Sequence, residues 1–186
     1  CGHTLSLNSG TAALHIALIL AGVKEGDEVI STALTAEPTN TSIKAVGAKI
    51  RYADVDISTG NISPDAIEKS INSKTKAIIV VDYAGIPVEV KRIKEISEKY
   101  NIPVIQDAAH ALGSKYNDKK AGNHFPFTVY SFQAIKHLTT IDGGALQIHD
   151  KELYEKGKII RWFGLDKKLS RMENNITTQG YKYHMN

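Results

Sequence analysis

Cysteine is nearly absent. The one thiol among 186 residues is Cys1, which excludes an internal disulfide framework and a CxxC metal site and fits a reducing cytoplasm. Long apolar runs are missing too. No stretch approaches the roughly 20 residues needed to span a bilayer, and no segment reads as a secretory signal. Charge of one sign is not in excess. The formal net charge is +3 and the lysines are scattered, so there is no basic stripe of the kind that tracks nucleic acid. Seven histidines are present, but none forms a His-x-x-x-His or Glu-paired motif, so zinc hydrolysis lacks its ligand spacing. Repeats, low-complexity tracts and internal linkers are lacking as well.

What is present is apolar material for one core. With 42% hydrophobic residues the chain suffices for one domain and not for two large ones. Strand-like and helix-like segments alternate, which predicts a single α/β domain with a mostly parallel sheet. The apolar runs at 77–81 and 102–107 read as strands covered on both faces. Further strands are expected at 5–7, 29–31, 49–55, 127–132 and 145–148. The Ala/Leu/Ile-rich run at 12–21 reads as a largely buried helix ending before Gly22. His15 lies within it and reads as a core histidine. Other helices are expected over 39–46, closed by Gly47, and from Pro64 to about 71, with Ser63 as cap and Asp65 complementing the dipole. Two more are expected over 90–100, on the spacing of Val90, Ile93, Ile96 and Tyr100, and over 151–163, capped by Asp150. Residues 116–122 read as a hairpin turn, and 170–178 as a polar, Asn-rich loop.

The candidate chemistry gathers around one lysine. Residues 127–132 lead into a polar turn holding Lys136, and Asp142-Gly143-Gly144 leads out into the next strand. An amine held between two strands is partly desolvated, so its pKa can fall and a neutral amine can form a Schiff base. By spacing alone, a solvated loop lysine is the plainer reading. Ser9-Gly10-Thr11 opens the first helix, where backbone amides and the helix dipole favour an anion; a simple Ser N-cap is the alternative. Asp107 ends a buried strand, where an acid is costly unless paired; it either caps the following turn or meets a cation. Asp54-Val55-Asp56 reads as a polar strand end rather than a metal pair.

The company of Lys136 changes its reading. Ser131-Phe132-x-x-x-Lys136 with Gly143-Gly144 downstream, Gln106-Asp107-Ala108-Ala109-His110-Ala111 upstream and Ser9-Gly10-Thr11-Ala12-Ala13 near the start together resemble the DegT/DnrJ/EryC1/StrS aminotransferases. These are pyridoxal-5'-phosphate (PLP) enzymes of fold type I, the aspartate-aminotransferase fold. The resemblance runs from Ser6 to Asn186, with its motifs in the family's order. It implies that Lys136 anchors PLP and moves protons, and that Gly10, Thr11, Ala12 and Ser131 hold its phosphate. Asp107 then meets the protonated pyridine nitrogen, with His110 beside the ring. Where the family sets an aromatic ring over the pyridine face, this chain has Ala36. Tyr83-Ala84-Gly85 resembles a segment near the cofactor. Gly180-Tyr181-Lys182-Tyr183-His184-Met185-Asn186 resembles a segment whose Asn crosses a dimer interface to the partner's phosphate; Lys182 stands in that position.

The implied activity is transfer of an amino group from Glu or Gln to a keto sugar carried on a nucleotide, in the making of cell-surface polysaccharides or glycosides. Relatives that are dehydratases carry His where Lys136 stands, so Lys136 favours amino transfer. Another fold-type I PLP reaction, or a non-catalytic PLP-fold protein, remains as an alternative. The resemblance also implies a cytoplasmic homodimer. Residues 1–186 are expected to form the PLP-binding large domain, cut at both ends and without the small C-terminal domain.

Overall fold

The computed structural model describes residues 2–185; Cys1 and Asn186, the last residue of the Gly-Tyr-Lys motif, lie outside the described residues. A seven-stranded sheet forms the middle layer. Its strands are β1 (His3–Leu7), β2 (Glu28–Ser31), β3 (Lys49–Tyr52), β4 (Thr75–Val81), β5 (Val104–Asp107), β8 (Phe127–Ser131) and β9 (Gly144–Ile148), in the order β1-β9-β8-β5-β4-β2-β3. Between β5 and β8 lies a small hairpin of β6 (Lys115–Tyr116) and β7 (Lys119–Lys120). Asn117 and Asp118 at its tip both have positive φ, as a two-residue hairpin turn of matching twist requires.

The helices are α1 (Gly10–Leu20), α2 (Glu37–Ala45), α3 (Pro64–Ser70), α4 (Val90–Tyr100) and α5 (Lys151–Ile160). Side chains alternate across each strand, and this divides the core in two. Leu5, Leu7, Ile79, Ile105, Val129 and Leu146 pack with α1 on one face. Ile78, Val80 and Val104 pack with Ile67 of α3 and with Ile93 and Ile96 of α4 on the other. α1 is buried nearly all round, as its Ala/Leu/Ile composition requires of a helix covered by neighbours. α4 buries one stripe, Val90, Ile93 and Ile96.

The expected fold class holds: a mostly parallel sheet flanked by helices. One strand departs from it. β9 runs antiparallel to both β8 and β1, so the chain folds back after the Lys136 turn. Several boundaries also shift. The strand expected to run to residue 55 ends at Tyr52, and Val55 makes only a lone bridge to Ile62. β5 starts at Val104 rather than at 102, because the Ile102 amide is taken by the Ser97 carbonyl and Pro103 has no N–H. α5 ends at Ile160, not 163; Phe163 and Gly164 both have positive φ, which a right-handed helix does not accept. The Asn-rich loop is tied by Asn174, whose amide donates to the carbonyls of Asp166, Leu169 and Ser170. Among the described residues no helix is long and apolar enough to cross a membrane.

Candidate active site

β2, β4, β5 and β8 are mutually parallel, so their carboxyl ends share one edge of the sheet. Ligands bind at that edge in α/β folds. Here it carries a cavity of about 430 Å³. Its lining comes from the start of α1 (Ser9, Gly10, Thr11), the start of α2 (Thr35, Ala36, Pro38, Thr39) and the strand ends (Val81, Tyr83, Asp107, Ala109, His110, Val129, Ser131). The turn after β8 supplies Gln133, Ile135, Lys136 and Asp142.

The start of α1 is built to face an anion. Ser9 caps it, its hydroxyl accepting from the Ala12 amide at 3.1 Å and its carbonyl from the Ala13 amide at 3.2 Å. The amides of Gly10 and Thr11 have no preceding helical carbonyl to bond, and both residues line the cavity. A Cβ on Gly10 would stand 3.0 Å from the Ser131 Cβ. Glycine therefore lets the helix start close on the end of β8, with the Ser131 hydroxyl beside it.

Lys136 sits on a turn held by its own backbone. Its amide donates to the Gln133 carbonyl at 2.8 Å, and the Thr140 amide donates to the Phe132 carbonyl at 2.9 Å. Partial burial lowers the Lys136 pKa, with Asp107 acting weakly the other way. Asp107 is 5% exposed. Burial pushes its carboxyl above the ordinary range, opposed by hydrogen bonds from Thr39 and Ala109 and by the charges of His110 and Lys136. Thr39 donates to Oδ2 at 2.8 Å and the Ala109 amide to Oδ1 at 3.2 Å. These two bonds fix the orientation of the carboxylate. His110 stands exposed at the cavity mouth, and burial together with Lys136 lowers its pKa.

Seven of the expected site residues therefore meet on one cavity: Gly10, Thr11, Ala36, Asp107, His110, Ser131 and Lys136. Two do not. The Ala12 amide is already bonded to the Ser9 cap. Lys182 is exposed, pairs through its backbone with Trp162, and has its ammonium 5.7 Å from the indole centroid. Tyr83 lines the cavity with its amide held by Asn61 at 2.9 Å. Sequence reasoning missed Thr35 and Thr39. The available signal was two hydroxyls four residues apart, one just before and one inside the start of α2. His15 is buried as expected, with Nδ1 2.9 Å from the Tyr183 hydroxyl. Among the described residues no cluster of His, Cys, Asp and Glu is placed to hold a metal ion.

The family model for DegT/DnrJ/EryC1/StrS aminotransferases matches residues 1–186. The chain belongs to that family. Over 186 residues, 98% of this chain and 49% of the relative, this DegT/DnrJ/EryC1/StrS member is 38% identical to UDP-4-amino-4,6-dideoxy-N-acetyl-beta-L-altrosamine transaminase of Campylobacter jejuni. The crystal structure of AtS13 from Actinomadura melliaura superposes with a TM-score of 0.93 at 39% identity, covering 98% of this chain and 51% of that one. The PLP form of Spr1654 from Streptococcus pneumoniae gives 0.91 at 34%, with coverage of 98% and 51%. The fold is thus that of the fold-type I aminotransferases. The chain spans about half the length of the curated relatives it matches.

Proposed function

We propose that this chain is the PLP-binding large domain of an aminotransferase that moves an amino group from Glu or Gln to a keto sugar carried on a nucleotide. The observation that carries this reading is the pairing, on one cavity, of a partly buried lysine amine with a buried carboxylate. The residues fit PLP. Gly10 keeps open a cradle that a Cβ would crowd against Ser131, Gly10 and Thr11 line the cavity at the helix start, where amides lack helical partners, and an anionic Asp107 suits a protonated pyridine nitrogen.

In this reading Gly10, Thr11 and Ser131 would hold the phosphate, and Lys136 Nζ would be the covalent anchor. When bound, PLP supplies an electron sink for the carbon that loses a proton. The chain's own work is proton handling. Asp107 keeps a proton on the ring nitrogen. Lys136, its pKa lowered by burial and its amine freed once the amino donor takes its place, would take the proton from the donor's α-carbon and, as general acid, give it to the cofactor carbon that carries the nitrogen. Thr39 and Ala109 hold the Asp107 carboxylate still while this happens. Ala36 lines the cavity with a methyl where the family sets an aromatic ring.

The test is a visible-absorbance titration of the purified protein with PLP. A saturable band is expected in the parent, and its loss in Lys136→Ala. A Lys136→Ala variant with the parental band would sink the assignment. Keto-sugar nucleotides with Glu or Gln as donor then separate amino transfer from other fold-type I reactions.

We also propose a cytoplasmic homodimer. Lys182 lies off this chain's own cavity, and as a cation it would meet a phosphate on a second subunit. Replacing Lys182 with Ala is expected to weaken PLP binding several-fold, roughly the worth of one charge-assisted hydrogen bond. Unchanged PLP affinity in Lys182→Ala would count against this role.

A further inference from the structure

Asp107 lies between Val81 and Val129 in the register of the sheet, and Thr39 of α2, 1% exposed, packs its hydroxyl against the carboxylate. A hydroxyl carries one proton. With Asp107 ionised its Oδ2 can only accept, so Thr39 donates to it at 2.8 Å, and in the 2.7 Å contact between the Thr35 and Thr39 hydroxyls Thr35 is then the donor. The row is directional: Thr35 to Thr39 to Asp107. Thr35 is only half-buried and lines the cavity, so the row connects the cavity wall to the buried carboxylate.

We propose that Thr39, with Thr35 behind it, is a positioning residue that holds Asp107 in its anionic form and in one orientation within the cavity. Its importance for catalysis rests on the function proposed above; its effect on Asp107 does not. A hydrogen bond donated to a carboxylate favours the charged form, and a donor polarised by a second hydroxyl behind it does so more strongly. The other groups that act on Asp107 are the Ala109 amide, His110 and Lys136, which also favour the anion. Asp82, on the neighbouring β4 end, is the opposing acid. His110 is exposed and Lys136 only partly buried, so their charges are more open to screening than the buried Thr39 bond. Thr39 is the one side-chain donor bonded to Asp107 among the described residues.

The experiment uses protein labelled with carbon-13 at aspartate carboxyl carbons and free of PLP. Its Asp107 resonance is assigned by its absence in Asp107→Asn. Titration followed by NMR gives the proton affinity of this one group. Thr39→Val is expected to raise that affinity by about tenfold, the scale of one charge-assisted hydrogen bond. Thr39→Ser, which keeps the hydroxyl, is expected to restore the parental value. Thr35→Val is expected to raise the affinity by less. A parental titration in folded Thr39→Val overturns the proposal, and so does a Thr39→Ser variant that behaves like Thr39→Val. Should Thr39→Val fail to fold, Thr35→Val decides, and an unchanged titration there overturns the directional row. PLP absorbance on the same samples reports separately on function. A parent that fails to bind PLP while Thr39→Val still shifts Asp107 would remove the proposed function and leave the row standing.

Discussion

Gly144 has no room for a side chain. A Cβ there would stand 2.4 Å from the Ser9 carbonyl carbon and 2.5 Å from the Gly10 nitrogen. Both are backbone atoms at the capped start of α1, and neither can rotate away. Gly10 differs: its nearest obstacle is the Ser131 side chain at 3.0 Å. Gly144 opens β9 where the chain leaves the Lys136 turn. Its missing methyl therefore sets how closely the lysine turn approaches the anion-facing helix start. Gly144→Ala is expected to destabilise the fold by roughly 1–3 kcal/mol, the range for overpacking. It should also weaken PLP binding, because the helix start and the lysine turn are pushed apart. Urea denaturation and a PLP titration measure the two effects, and an alanine variant with parental midpoint and affinity would contradict both.

At the scale of elements, what could be read from the chain was what local chemistry decides. Ser63-Pro64 starts α3, with the Ser63 hydroxyl accepting from the Ala66 amide. Ser9 and Asp150 cap α1 and α5 in the same way, and the spacing of Val90, Ile93 and Ile96 gave α4 its buried stripe. Strand direction was not legible. An apolar run such as 145–148 has the same composition whichever way it runs, and β9 is antiparallel to β8 because the Lys136 turn joins them with no crossover helix between. Element ends were legible only where a residue type forces them, as Gly47 does after α2 with φ +77. The stop of α4 at Asn101 depends on a left-handed asparagine, which composition permits without requiring. The site divides along the same line. Lys136, Asp107 and Ser131 belong to motifs contiguous in the chain. The Thr39–Asp107 bond joins residues 68 apart, and only the closure of α2 over the end of β5 makes it. Lys182 was legible as a motif position, and the resemblance already set it toward a partner's phosphate rather than this chain's own cavity, which it does not line.

Across the whole molecule, the sheet under the cavity holds a second acid that the cavity does not use. Asp82 is 0% exposed. Its Oδ1 accepts from the Val88 amide at 3.1 Å and its Oδ2 from Gln106 Nε2 at 2.7 Å. Gln106 Oε1 accepts in turn from Thr128 at 3.2 Å and from the Gly122 amide at 3.4 Å. This polar row ties β4, β5 and β8 together on the face away from α1, and the Asp82 amide also donates to the Asp107 carbonyl at 3.1 Å. Burial raises the Asp82 carboxyl from 3.8 to about 6, with Asp107 adding to the rise and the bonds from Val88 and Gln106 opposing it. The sign for stability follows. Between about pH 4 and 6 the folded chain keeps on Asp82 a proton that the unfolded chain releases, so the Asp82 contribution to stability is greatest below pH 4 and is lost as pH rises through 6. The full span is roughly 3 kcal/mol. Asp107, also raised by burial, adds a loss of the same sign. Asp82→Asn removes only the Asp82 part. Its unfolding free energy is expected to change by about 2 kcal/mol less between pH 4 and 7 than the parent's, whatever its absolute value. Urea denaturation at half-unit steps over that range reads the difference. Parallel curves for parent and variant would mean that Asp82 stays ionised in the fold, its two hydrogen bonds outweighing its burial. A flatter curve for Asp82→Asn would mean that the floor of the cavity takes up a proton near pH 6, directly beneath the Asp107 strand end.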